Sequence, residues 1–376
     1  MRLTTGGTPH NLSAPVVGRV TRSTTSDRAS AILLCLESPG DLDGYAGAIT
    51  PGEELRALCP TVTHVRQIDH LRDGDVIGIG VNGHIRTLYR PDSDHNALFI
   101  TERCNSNCLM CSQPPKDRDD LEHFLTMNMS LIDLMAPDTP YLGITGGEPT
   151  LLRDGLLTLL ARIRDRLPTT HVHLLTNGRL FAWPPLAARL AAIHHANLVL
   201  GVPLYSDSPD IHDYVVQAKH AFDQTLIGLQ QLARHGVSVE IRVVLHRATI
   251  PRLRELADFI YRNLPFCVHI AFMGLEPTGY TPFNREALWI DPFAYQTALA
   301  DAVERLAMRG MNVSVYNLQK CVLPRALWPF AKRSISDWKN IYLPICDSCA
   351  EKSTCAGFFH SAQRFHSDHV RPFLTT

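Results

Sequence analysis

From about Ala97 onward, short apolar runs alternate with longer stretches whose apolar residues return every three or four positions. Short runs of this kind read as strands and the longer stretches as helices, and their regular alternation is the mark of βαβ units around a parallel sheet. The pattern predicts six strands, at Ala97–Thr101, Tyr141–Thr145, Val172–Thr176, Asn197–Val202, Val239–Leu245 and Val268–Met273. The helical stretches between them include Leu151–Leu167, Pro185–His195, Ala218–His235 and Arg252–Asn263, with Gly236 as a C-cap after the third. Six such units form a partial (β/α)6 barrel, whose ligands belong at the loops leaving the C-terminal ends of the strands.

The flanks read differently. Residues 1–95 carry short apolar runs, Ala31–Leu36 and Asp75–Ile79, and an Asn82-Gly83 turn, which predicts a small β-rich N-terminal domain. The barrel is expected over 96–292. Residues 293–376 form a C-terminal extension that opens with a helix, Phe293–Arg309, capped by Gly310. A strand near Val313–Tyr316 follows, and the rest is irregular and rich in Cys, Trp and Pro. The fold class is therefore α/β with two smaller flanking parts, which suits a chain of 376 residues.

Bulk properties remove several function classes. Hydrophobic residues at 45% and charged residues at 19% belong to a globular chain rather than a disordered one. A formal net charge of −1 gives no field to gather nucleic acid or an acidic membrane. With neither an apolar leader after Met1 nor a membrane-length apolar window, the expectation is a cytoplasmic protein. In that compartment thiols stay reduced, so clustered cysteines among the ten point to metal or catalysis. Cys35, Cys59 and Cys267 stand alone and read as small buried hydrophobes.

Cys104, Cys108 and Cys111 follow the first strand directly, in a C-x3-C-x2-C spacing on the first βα loop. Three thiolates can hold an iron–sulfur cubane with one iron left open to a non-protein ligand; a zinc knuckle completed by a fourth ligand is the plainer alternative. After the second strand come Gly146-Gly147-Glu148-Pro149, where paired glycines allow close backbone approach and Pro149 fixes the entry to the next helix. Further on, Cys346, Cys349 and Cys355 make a C-x2-C-x5-C run, with Cys321 upstream as a fourth thiolate. Four soft ligands satisfy either an auxiliary [4Fe–4S] cluster or structural zinc.

The C-x3-C-x2-C loop and the Gly-Gly-Glu-Pro turn together resemble the radical S-adenosylmethionine (SAM) superfamily. From Cys104 to about Phe359 the chain further resembles the His-Xaa-Ser system radical SAM maturases of the C type. Thr101–Pro115, Pro203–Asp207, Ser334–Asn340 and Gly357–Phe359 carry that likeness. The resemblance implies a SAM-bound [4Fe–4S] cluster on Cys104, Cys108 and Cys111, whose electron splits SAM into methionine and a 5′-deoxyadenosyl radical that takes hydrogen from a substrate. It implies SAM contacts from Gly146, Gly147, Glu148, Pro149 and Asn177, the last in a Thr176-Asn177-Gly178 turn, and a place for Met110 near the adenine. Tyr205 or Ser206 would take the part of a serine usual after the fourth strand, and Arg242 is a candidate for the SAM carboxylate, snorkelling to solvent being the alternative. The Cys321, Cys346, Cys349 and Cys355 set resembles SPASM and twitch extensions.

The implied partners are a ribosomally made precursor peptide with His-Xaa-Ser repeats, a paired radical SAM protein, a small accessory protein, and an electron donor such as flavodoxin or ferredoxin. No catalytic acid or base follows from the sequence. Other readings are a radical SAM enzyme acting on a small molecule and a non-catalytic zinc or iron–sulfur scaffold. His171 and His173, two apart on one strand face, permit metal binding by geometry, with core or surface positions as the plainer reading; His212-Asp213 resembles a pair recurrent in peptide maturases, with a helix-capping region as the plainer reading; and the mixed-sign run Lys116–Asp120 reads as a solvated loop.

Overall fold

The structure is a computed structural model that describes residues 3–23, 25, 27–35, 41–53, 58–333, 341–363 and 365–374. The Ser334–Asn340 segment of the resemblance lies outside the described residues. The chain divides into two compact units: Met1–Phe99 with Leu121–Gly143 and Thr158–Thr170, and Ile100–Asp120 with Ile144–Leu157 and His171–Thr376.

In the first unit, β1 (Thr4–Gly6), β2 (Thr8–His10), β3 (Val16–Thr21), β4 (Ala31–Leu34), β5 (Gly47–Ile49), β6 (Thr61–Thr63), β7 (Val76–Ile79) and β8 (His84–Tyr89) form one sheet. Its order is β1-β8-β7-β3-β4-β5-β6-β2, with β3, β4, β5 and β6 parallel and the outer pairings antiparallel. The β7–β8 hairpin closes on Asn82-Gly83, where Gly83 takes φ 76°, a left-handed conformation that glycine adopts without steric cost. Alternate residues Val20, Ile32, Leu34, Ile49, Val62, Ile77, Ile79 and Ile85 build the apolar core. Cys35 and Cys59 are buried in a second, smaller cluster with Leu42 and Ala48. A strand β9 (Asn96–Phe99) and a helix α1 (Leu121–Leu134) also fall in this unit.

The second unit holds the parallel sheet. After β10 (Tyr141–Thr145) and α2 (Asp154–Arg166), both of which cross the division, come β11 (His171–Leu175), α3 (Pro184–Ala191), β12 (Leu198–Pro203), α4 (Pro209–Val216) and α5 (Ala221–Arg234). They are followed by β13 (Ser238–Leu245), α6 (Leu253–Asn263), β14 (His269–Gly274), a single turn α7 (Arg285–Leu288), α8 (Gln296–Ala307) and β15 (Val313–Tyr316). The strands are ordered β15-β14-β13-β12-β11-β10, and the pairings from β11 to β15 are all parallel. The strand expected at Val313–Tyr316 therefore joins the sheet as one more βα repeat, because α8 supplies the crossover that a parallel neighbour of β14 needs.

Along each strand one set of alternate residues packs under the helices. Val239, Ile241, Val243 and Leu245 of β13 and Ile270 and Phe272 of β14 are almost fully buried there. The opposite set, Glu240 and Arg242 on β13, His269 and Met273 on β14, and Ser314 and Tyr316 on β15, is polar or mixed. That inner face carries chemistry the apolar face cannot.

Candidate active site on the cysteine loop and the inner face of the sheet

The loop bearing Cys104, Cys108 and Cys111 begins where Ile100 N donates to Thr145 O (2.9 Å), so the chain enters it paired to the end of β10. The next turn is built on that pairing. Gly147 N donates to Thr101 O (2.6 Å) and Glu148 N to Arg103 O (2.8 Å). A Cβ on Gly146 would lie 2.8 Å from Thr101 O, and one on Gly147 would overlap the Arg103 carbonyl. The two glycines of Gly-Gly-Glu-Pro are thus needed for backbone contact with the residues just before Cys104.

Glu148 is 1% exposed, and its carboxylate is fully used within the protein. Oε1 accepts from Thr150 N (3.0 Å), Thr150 Oγ1 (2.5 Å) and Thr176 Oγ1 (2.6 Å), and Oε2 from Asn177 N (2.7 Å). Pro149 starts the buried 3-10 turn that Glu148 caps. Asn177 in turn donates from Nδ2 to Asn105 Oδ1 (2.6 Å), inside the cysteine loop. Arg179 reaches the same loop, donating to Asn105 O and to Ser106 Oγ (2.9 Å). On the far side, Asn107 N and Leu109 N donate to Val216 O and Val215 O at the end of α4, Tyr280 N donates to Cys111 O (2.9 Å), and Asn284 Nδ2 donates to Leu109 O (2.8 Å). Four other segments thereby hold the loop in shape.

The three thiols sit close enough to influence one another. Burial pushes Cys104 up to about 11, with the Glu148 charge and Cys111 adding to it, and pushes Cys108 up to about 12, with Cys111 and Cys104 adding to it. Cys111 is raised by burial as well. Neutral thiols crowded together in this way become thiolates once a cationic metal centre shares the pocket, because coordination deprotonates a thiol outright. The donor set fits an iron–sulfur cubane, in which each thiolate takes its own iron. Among the described residues, no three His, Cys, Asp or Glu side chains stand in the geometry of a single bound ion.

Cys321, Cys346, Cys349 and Cys355 line one small cavity with Lys320, Tyr342, Glu351, Lys352 and Arg371 among their neighbours. Burial raises Cys321 and Cys346, and each feels Cys355 as a further raising influence. Tyr342 Oη donates to Cys355 O (3.0 Å) and Phe373 N to Cys349 Sγ (3.4 Å), which ties the C-terminal segment to the cavity wall. The structure therefore brings Cys321 to the other three, although the sequence separates them. These thiols too are a soft donor set of the kind that iron–sulfur clusters and zinc share.

Other anticipated residues take definite places. Met110 is 7% exposed and packs with Tyr205, Val215, Val216, Ala221 and Leu288. Tyr205 is buried beside the loop, and its hydroxyl is raised well above the ordinary range by burial, then by Cys108 and Cys111. Ser206 Oγ accepts from Ser208 N (3.1 Å), opening the approach to α4. His212, lowered to about 4 by burial, accepts from Tyr205 N at Nδ1 (3.3 Å), and Asp213 accepts from Phe222 N (2.8 Å), so both are structural. The Lys116–Asp120 run is only partly a solvated loop. Lys116 and Arg118 pair with Glu102, while buried Asp120 accepts from Thr101 Oγ1 and Glu102 N and anchors the strand exit.

The inner face of the sheet holds a polar cluster that residue spacing did not single out. Glu240 receives His269 Nδ1 at 2.7 Å, His173 Nε2 at 3.4 Å and Arg242 Nε at 3.6 Å. The other ring nitrogen of His269, Nε2, lies 3.0 Å from Ser314 Oγ. Arg242 also directs Nε and Nη2 at Met273 Sδ (3.4 and 3.1 Å). Gly201, opposite Glu240 on β12, leaves the room: a Cβ there would lie 2.8 Å from His173 Nε2. Burial alone would raise Glu240, but hydrogen bonds from His173 and His269 and the charge of Arg242 outweigh it and hold the carboxyl well below its usual range. The signal in the sequence was alternation, Glu240 and Arg242 being two apart on one strand face with His269 on the next strand.

Residues 98–260 match the model of the radical SAM superfamily. The chain carries a radical SAM domain. The superfamily is one of enzymes, and the domain's fold is the mixed α/β fold with the parallel sheet described above. Among curated proteins, the chain is similar to GTP 3′,8-cyclase of Petrotoga mobilis, at 26% identity over 199 residues, 51% of this chain and 59% of that one. It is also similar to Fe-coproporphyrin III synthase of Methanosarcina barkeri, at 28% identity over 163 residues, 43% of this chain and 39% of that one. The chain spans little more than half the length of the first of these relatives. Among solved structures, SuiB of Streptococcus suis bound to S-adenosylmethionine overlays with a TM-score of 0.47 at 15% identity, covering 60% of this chain and 51% of SuiB. No helix among the described residues is long and apolar enough to cross a membrane.

Two outcomes follow from this geometry. Gly147→Ala forces the turn off the Arg103 carbonyl, so thermal melts of the metal-free chain should fall by about 1–3 kcal/mol and the reconstituted variant should retain less iron; unchanged values for both would mean the contact is dispensable. Glu240 has a lowered native pKa, so its contribution is complete above its unfolded value of about 4.3 and is lost as the pH falls toward the native one. In urea denaturation, Glu240→Gln should cost about 3–5 kcal/mol at pH 7, a gap that begins to narrow below about pH 4 and shrinks further as the pH approaches the native value; a gap independent of pH would contradict the assignment.

Proposed function

We propose that the protein is a radical SAM peptide maturase that modifies a ribosomally made precursor peptide bearing His-Xaa-Ser repeats. It works in the cytoplasm with a paired radical SAM protein, a small accessory protein and an electron donor of the flavodoxin or ferredoxin kind. Cys104, Cys108 and Cys111 hold a [4Fe–4S] cluster, and Gly146, Gly147, Glu148, Pro149, Asn177, Met110 and Arg242 shape the SAM site around it. Bound there, cluster and SAM together supply hydrogen abstraction through a 5′-deoxyadenosyl radical. The chain's own residues hold the loop rigid, shield it and present the substrate.

The observation that carries this reading is a second cysteine site, a cavity lined by the four thiols of Cys321, Cys346, Cys349 and Cys355, in the same unit as the three-cysteine loop. Those four thiols would hold an auxiliary [4Fe–4S] cluster, which would supply an electron acceptor or a substrate-binding site, and the resemblance at Pro203–Asp207 and Gly357–Phe359 points to the peptide-modifying branch. Within this reading Glu148 acts through the loop, since its carboxylate oxygens are already bonded to Thr150, Thr176 and Asn177.

A small-molecule substrate is the second reading, favoured by the similarity to GTP 3′,8-cyclases over about half of the chain. One incubation separates the two: reduced, reconstituted protein with SAM and either the precursor peptide or GTP, followed by mass spectrometry. The maturase reading predicts methionine, 5′-deoxyadenosine and an altered peptide mass, with deuterium passing from labelled peptide to 5′-deoxyadenosine. An unchanged peptide beside consumed GTP would sink it.

A further inference from the structure

Arg179 lies two residues past Asn177 on the β11 loop, where Gly178 at φ 78° turns the chain and a Cβ would lie 2.9 Å from Val202 Cγ1. Its guanidinium donates from Nε to Gln224 Oε1 (2.8 Å) and from Nη1 to Asn105 O and Ser106 Oγ. Asn105 and Ser106 stand between Cys104 and Cys108, so the guanidinium grips the loop at the stretch that spaces those two thiols.

Among the described residues, the partners of Arg179 are all neutral oxygens. The other cations around the loop are matched by carboxylates: Lys116 and Arg118 by Glu102, Arg103 by Asp117, and Arg242 by Glu240. A partly buried guanidinium bonded only to neutral groups is best compensated when an anion arrives beside it. A cluster on three thiolates is such an anion, and it becomes more negative by one charge when reduced.

We propose that Arg179 sets how readily the cluster on Cys104, Cys108 and Cys111 takes up an electron, by placing an unneutralised positive charge against the loop while fixing the Asn105–Ser106 segment. Arg179 is a positioning residue rather than a catalytic one. The inference rests on the cluster assigned above. A fixed cation nearby stabilises the reduced state more than the oxidised one, so it raises the reduction potential.

The test is a redox titration of the full reconstituted chain, following the EPR signal that SAM perturbs, in wild type, Arg179→Gln and Arg179→Lys, with iron and sulfide measured on each. Arg179→Gln should shift the midpoint to a more negative value at wild-type iron content, and Arg179→Lys, which keeps the charge, should stay near wild type. Should Arg179→Gln fail to hold iron, Arg179→Lys decides: a midpoint near wild type supports the proposal, and one displaced despite the retained charge overturns it. An unmoved midpoint in a fully loaded Arg179→Gln also overturns it. If that unmoved midpoint comes with a weakened response to SAM, the guanidinium serves the SAM carboxylate instead. Wild type without iron would remove the cluster assignment itself, a result distinct from any change confined to the variants.

Discussion

Glu148 places one buried carboxylate where donors from two strand ends converge, Thr150 from its own turn and Thr176 and Asn177 from the end of β11. In water such a carboxylate would be solvated; here its charge is met by hydrogen bonds, the arrangement in which burial is tolerated. Because Glu148 N simultaneously donates to Arg103 O, the carboxylate couples the exit of β10 and the exit of β11 to the residue before Cys104. Asn177 then extends the chain of bonds to Asn105 inside the loop. One buried side chain thus links two strand ends to the start of the loop that carries the three thiols.

Charge is distributed around this loop in a consistent way. The thiols are buried and resist ionisation until a metal centre is present, the carboxylates near them are saturated by internal donors, and surface cations are paired. On the inner face of the sheet, Glu240 stays ionised between His173, His269 and Arg242, so the space beside the strands is polar rather than packed with apolar side chains.

Much of this was legible in the chain. The strands expected at Tyr141–Thr145, Val239–Leu245 and Val268–Met273 appear within a residue of their predicted limits, because parallel buried strands announce themselves as apolar runs between amphipathic helices. The Gly146-Gly147 pair was legible as a close-approach turn, though not what it approaches. Asp120 was not legible: within a mixed-sign run it looks like solvated surface, and only the fold brings it onto Thr101. Arg179, Glu240 and His269 were missed for the same reason. Their roles come from partners far away in sequence, and no local periodicity distinguishes a charged residue on the inner face of a sheet from one on its rim.

The central claim is that two cysteine sites hold iron–sulfur clusters and that the first binds SAM. It is tested most directly by iron and sulfide analysis with EPR of anaerobically reconstituted, reduced protein, with and without SAM, beside the Cys104→Ala/Cys108→Ala/Cys111→Ala variant. The account predicts about eight irons per chain, a spectrum altered by SAM, and loss of about half the iron together with the SAM response in the variant. Zinc in place of iron, or iron untouched by removing those three cysteines, would contradict it.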